Sequence, residues 1–142
     1  MTPADELRAA AATLRALATA ASTDTDGTPT AHWHHKDRGH DHAVLYGDHL
    51  TSDDVECISW PLLLRGGSLY RSSYMHVRHA EYAATMGPVV GLALATLLEG
   101  VLSSAREAAP AHEECASGCS PDTCDLAAAL AVARAINGGE QR

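Results

Sequence analysis

Between His112 and Asp125 the chain reads H-E-E-C-A-S-G-C-S-P-D-T-C-D, so three of its four cysteines fall within ten residues, just behind a histidine. No other feature constrains the fold as much, because the rest of the chain offers little bulk for a core. Of the 142 residues, 27 are alanine, six are aromatic and none is phenylalanine. Alanine buries little apolar area per residue, so the expected core is helix-rich, closely packed and thin in large anchors. A core of that kind gains much from a staple, and a metal held by clustered thiolates is one.

The spacing fits such a staple. His112 and Cys115 are three residues apart, which points both side chains the same way on a helical turn. A last helix is expected to follow, with Ser120 as cap, Pro121 at its first position and Asp122 and Asp125 in its first turn. Cys119 then lies just before that cap and Cys124 in the first turn, while Gly118 supplies the sharp reversal between the pairs. Two ligands leaving one helix and two entering the next can converge on a tetrahedral ion. Thiolates with an imidazole suit Zn2+, at about 2.3 Å for sulfur and about 2.0–2.1 Å for nitrogen. The expected metal ligands are therefore His112, Cys115, Cys119 and Cys124, with Cys57 or a hairpin histidine as alternatives to His112. The pattern H-x2-C-x3-C-x4-C departs from the common finger spacings, so reduced thiols without metal and disulfide or redox use stay open beside it. Four protein ligands leave no coordination position for substrate, which points to a structural ion.

Elsewhere the periodicity predicts an α+β chain. Thr2 caps and Pro3 opens a first helix ending near Ser22, with Leu7, Ala10, Ala11, Leu14, Leu17, Ala18 and Ala21 on one stripe. That stripe faces a core or pairs with a second subunit. After the loop T-D-T-D-G-T-P, residues 30–36 read as a strand, with Ala31, Trp33 and His35 on one face, and Ala43 to Tyr46 return beyond Gly39. Cys57 to Trp60 is a candidate third strand, stopped by Pro61. A helix is expected from about Tyr74 to Met86, a break at Gly87-Pro88, and a longer helix from Pro88 to about Ala108. Apolar residues cover more than half of that longer helix, which marks it as the central, most buried element. In the last helix Leu126, Leu130, Ala133 and Ile136 form the buried stripe, ended by Asn137-Gly138-Gly139. No repeat or linker divides residues 1–142, so one domain is expected.

The segment H-W-H-H-K-D-R-G-H-D-H, His32 to His42, raises a catalytic or second-metal reading, and the plain alternative is a solvated hairpin face. In outline it is similar to the ββα-metal nucleases, with His35 and His42 as catalytic candidates. The order such enzymes show, a general-base histidine on a strand and then an asparagine and a metal-binding histidine on the next helix, is not met, since the sole asparagine is Asn137. Between Cys57 and Ala80 there is no Asp or Glu, while Arg65, Arg71, Arg78, Tyr70, Tyr74, His76 and His79 occur. Those arginines suit phosphate or an acidic partner, or pair with the acidic stretch at Asp53, Asp54 and Glu56. Neither a Gly-x-x-x-x-Gly-Lys-Ser/Thr loop nor a Gly-x-Ser-x-Gly elbow is present.

A net charge of −8 disfavours generic binding to nucleic acid or anionic membrane. The start M-T-P-A-D-E-L-R has no basic segment followed by an apolar run, and the apolar stretch Pro88 to Leu98 is short for a bilayer. The expected location is the cytoplasm, where thiols stay reduced and clustered cysteines favour metal.

Residues 79–95, H-A-E-Y-A-A-T-M-G-P-V-V-G-L-A-L-A, with Leu97-Leu98-Glu99, resemble a segment of small uncharacterised proteins of Streptomyces and their phages. The likeness extends to the alanine-rich Asp5–Ala21 stretch, the Thr-Pro loop with Trp33, and residues 127–136, A-A-A-L-A-V-A-R-A-I. A looser similarity is to ead-type phage early proteins. The resemblance implies a phage or mobile-element accessory protein and supplies no catalytic residue. The alanine excess and nine arginines against the single Lys36 agree with a GC-rich source.

Together these readings give an N-terminal helix, a small antiparallel sheet and a helical C-terminal half whose last helix is stapled by zinc. The expected role is a non-enzymatic interaction or regulatory module. Its partner would be another protein, or a second copy across the alanine-rich helices, with nucleic acid less favoured and no membrane. The rival is a metal-dependent hydrolase or nuclease using the hairpin histidines.

Overall fold

The computed structural model describes residues 1–47, 61–68, 71–107 and 124–138. The fold is α+β. Among the described residues there are four helices, α1 (Pro3–Ala21), α2 (Val77–Thr85), α3 (Pro88–Glu107) and α4 (Asp125–Gly138). Strands β1 (Trp33–Asp37), β2 (His42–Gly47) and β5 (Met75–His76) form an antiparallel sheet in the order β1-β2-β5, and β3 (Gly67–Ser68) pairs with β4 (Arg71–Ser72). These residues cluster into two compact units, 1–17 with 92–142, and 18–91. Helices α1 and α3 each contribute to both.

The first unit is helical. Thr2 and Asp5 close the start of α1 reciprocally. The Thr2 hydroxyl accepts from the Asp5 N–H at 3.2 Å, and the Asp5 carboxylate accepts from the Thr2 hydroxyl at 2.6 Å and its N–H at 3.2 Å. These bonds from Thr2, then one from Arg8, hold the Asp5 carboxyl below its ordinary range. The lowered value means that this contribution to stability is present above the usual carboxylate range and is lost as pH falls from there through the lowered value.

Leu7, Ala10 and Ala11 pack with Leu98 and Leu102 of α3 and with Leu126, Ala129, Leu130 and Ala133 of α4. The small-residue stripe of α1 therefore faces the core. Leu17, expected on that stripe, is 64% exposed. At 100° per residue it lies about 80° off the direction of Leu7, whereas Ala18 returns to within about 20° of it. Ion pairs edge the cluster. Arg15 meets Glu99 at 2.7 Å and Arg134 meets Glu6 at 2.7 Å, while the Asn137 side chain donates to the Glu6 carbonyl at 3.0 Å.

Helix α3 corrects the expectation of a central, most buried element. Among its described side chains Ala95, Leu98 and Leu102 form one buried stripe, at i, i+3 and i+7, Pro88 is buried at the helix start, and Leu97 is 60% exposed. The helix is apolar around its circumference, but one stripe is enough to fill the core. Pro88–Ala105 has a mean hydropathy of 1.6, long and apolar enough to cross a membrane by length and composition. The apolar run thus extends beyond the expected Pro88–Leu98 stretch.

In the second unit, β1 and β2 form the expected hairpin, with Trp33 opposite Gly47 and Asp37 opposite Ala43. The turn places Gly39, His40 and Asp41 at φ of 84°, 53° and 61°. Glycine takes that region freely, whereas His40 and Asp41 occupy it at a cost that the turn's bonds offset. Asp37 Oδ1 accepts from the Gly39 N–H at 2.7 Å, and Arg38 donates to the His42 carbonyl at 2.8 Å.

The other edge of β2 is filled by two separate pieces. β5 pairs at His42 and Ala43, and farther along Leu62 bridges Tyr46 while Gly47 donates to the Pro61 carbonyl at 2.8 Å. The candidate strand at Cys57–Trp60 lies outside the described residues. With both edges and both faces covered, Ala43, Val44 and Leu45 are all buried.

Helix α2 packs on β1 and β2, and Gly87 follows it so closely that a Cβ there would sit 3.2 Å from the Trp33 Cβ. The Gly87 carbonyl then accepts from Val90 and Gly91, and Pro88 takes the first position of α3, as its sequence placement suggests.

Thr30 ties off the end of α1. It is buried, and its hydroxyl donates to the Ala21 carbonyl at 2.6 Å while its N–H donates to Ser22 at 2.8 Å. Thr30→Val keeps the shape but leaves that carbonyl without its bond. The expected cost is about 1–2 kcal/mol in urea unfolding. A loss of under about 0.3 kcal/mol would show that the bond contributes nothing net.

Candidate functional site

Of the four expected metal ligands, His112, Cys115 and Cys119 lie outside the described residues, as do Cys57 and the expected helix start at Ser120, Pro121 and Asp122. Cys124 is described. It immediately precedes α4, its carbonyl accepts from the Ala128 N–H at 2.9 Å, and its half-buried side chain packs against the helical core. It is thus the cap residue of the last helix rather than a member of its first turn. The end of α3 and the start of α4 share one groove of about 600 Å³, lined by Val101, Ser104 and Ala105 from one and Asp125 and Leu126 from the other. The two ends of the segment that carries the cysteines are therefore side by side. Among the described residues, no group of three His, Cys, Asp or Glu side chains converges to hold a metal ion.

The hairpin histidines divide between the two faces of the sheet. Register places His35 opposite Leu45, on the face shared with Trp33 and Ala43. His42 is one residue from Ala43 and so projects to the other face. The two residues named for a nuclease reaction cannot act on one ion from this hairpin. On the second face His34 stacks with Tyr46 at 5.4 Å, and His42 stacks with Tyr74 at 3.9 Å and 23°.

His42 also faces His76 across β2 and β5, and the His76 ring lies 5.6 Å from that of His79. His76 Nδ1 accepts from the Arg78 N–H at 3.2 Å, which makes this imidazole the N-cap of α2. The sequence pattern turns helical near Tyr74 and offers α2 no conventional cap. The available signal was H-V-R-H, a histidine followed by a turn without Ser, Thr, Asp or Asn.

The arginine-rich segment is partly committed inside the protein. Arg65 donates to both oxygens of Asp24, at 2.6 and 2.8 Å, joining residue 65 to the T-D-T-D loop. The expected acidic partners Asp53, Asp54 and Glu56 lie outside the described residues, as does Tyr70. Arg78 is exposed on α2. On α2 and the beginning of α3, Tyr82, Met86, Val89 and Val90 are exposed large apolar side chains, Tyr82 by 69%. No family model, curated protein or solved structure matches the chain.

Proposed function

We propose that the chain is a non-enzymatic interaction or regulatory module of phage or mobile-element type, stabilised by one Zn2+ on His112, Cys115, Cys119 and Cys124. The observation that carries this reading is the place of Cys124. It caps α4 on the core, beside the groove where α3 ends, so a bond from its sulfur to an ion would act directly on the contact between two helices. The positive end of α4 favours the thiolate form that zinc requires. A core of mostly alanine methyls leaves room for such a contribution.

The interaction role draws support from the exposed apolar residues Tyr82, Met86, Val89 and Val90, which suit a protein partner better than solvent. The Arg65–Asp24 pair weakens the case for nucleic acid, since one of the three arginines is already committed. The opposite projection of His35 and His42 weakens the case for a hydrolase.

Elemental analysis of purified protein tests the metal. One zinc per chain is expected, lost in Cys119→Ser and Cys124→Ser and retained in His35→Ala. Zinc retained in both cysteine variants would overturn the ligand assignment.

A further inference from the structure

We propose that His76 is a pH-sensitive cap whose protonation opens the β5–α2 segment. Helix caps ordinarily accept through a side-chain oxygen that does not titrate near neutrality. Here the acceptor is an imidazole nitrogen, with His76 in an extended backbone conformation and Nδ1 3.2 Å from the Arg78 N–H. An imidazole accepts only through an unprotonated nitrogen. Proton uptake at Nδ1 therefore removes the bond and leaves a positive charge at the positive end of a helix.

The surroundings reinforce the effect. The first turn of α2 contains no acidic residue, and it carries Arg78 and His79. His42 is the register partner of His76, and the bond from the Val77 N–H to the Asp41 carbonyl, 2.9 Å, identifies theirs as the closely spaced kind of antiparallel pair. Arg38 joins His42 through its backbone at the neck of the hairpin. The opposing carboxylates are Asp41, Asp37, which already accepts from Gly39, and Glu81 farther along α2. Tyr74 stacks on His42 at 3.9 Å. Proton uptake by the cap thus adds positive charge at a helix end that already holds Arg78.

What the cap holds is slight. β5 has two residues and α2 has nine, too few for a helix to persist without its packing. Loss of the cap frays the first turn of α2 and releases β5 from His42 and Ala43.

Amide hydrogen exchange on the full chain at pH 7.5 and 5.5, corrected for intrinsic rates, tests this. Protection of residues 77–80 is expected to fall about five- to tenfold at the lower pH, the equivalent of one lost cap. Amides in the middle of α4 are the reference and should hold. His76→Asn supplies a cap that does not titrate, and its protection should be equal at both values. His76→Ala should be low at both. The proposal is overturned if wild type shows no fall, if His76→Asn falls as wild type does, if His76→Ala keeps the fall, or if α4 loses protection equally.

Discussion

Leu98→Ala is expected to lower stability by about 3–5 kcal/mol, the upper part of the range for leucine truncation. Among the described residues Leu98 and Leu7 are the largest apolar side chains that are fully buried, and their neighbours are largely alanines and leucines fixed on three helices. An alanine methyl has no rotamer with which to reach into a vacated space. The cavity therefore persists instead of collapsing, and its cost adds to the lost transfer energy. Against a total of roughly 5–15 kcal/mol for an ordinary domain, this single change consumes a large fraction. At roughly 3 °C per kcal/mol for a chain of this size, the melting temperature should fall by about 10 °C or more. Leu97→Ala, one position away on the exposed side of α3, is the comparison and should stay within about 0.5 kcal/mol. Equal losses for the two would mean that α3 is rotated from the orientation described.

Removing the proposed zinc is expected to have an effect of similar size. Structural zinc sites contribute on the order of 10 kcal/mol of apparent binding energy, much of it folding energy. If about a third of that reaches the contact between α3 and α4, a strong chelator should lower the melting temperature by about 10 °C, and added Zn2+ should restore it. Because thiolate and neutral imidazole are the binding forms, the metal-dependent increment should shrink as pH falls below about 6. A melting temperature indifferent to chelation would remove the staple from the account of this fold. Measuring Cys119→Ser alongside separates loss of the ion from any direct action of the chelator.

Local chemistry was the most legible part of the sequence. Thr2, Pro3 and Asp5 specified the start of α1 because a cap needs only the few residues that form it, and Gly87-Pro88 marked the boundary between α2 and α3 for the same reason. The hairpin followed from alternation around Gly39. Burial was read less well, since it depends on which stripe of an all-round apolar helix meets a neighbour. Leu17 and Leu97 look no different from Leu14 and Leu98 until a partner helix is present. The edge of β2 shows a related limit. Two short pieces from distant parts of the chain fill it, and a two-residue strand such as Met75–His76 is too short to produce a period. Of the candidate metal site only Cys124 can be compared with the structure, and it stands immediately before α4 instead of inside its first turn. Arg65 found its acid at Asp24, a long-range pairing that local charge patterning does not contain.

The close approach of Gly87 to Trp33 makes the joint between α2 and α3 a place where size decides what can be substituted. Even a methyl group would sit 3.2 Å from the Trp33 Cβ, so either the indole or the turn would have to give way.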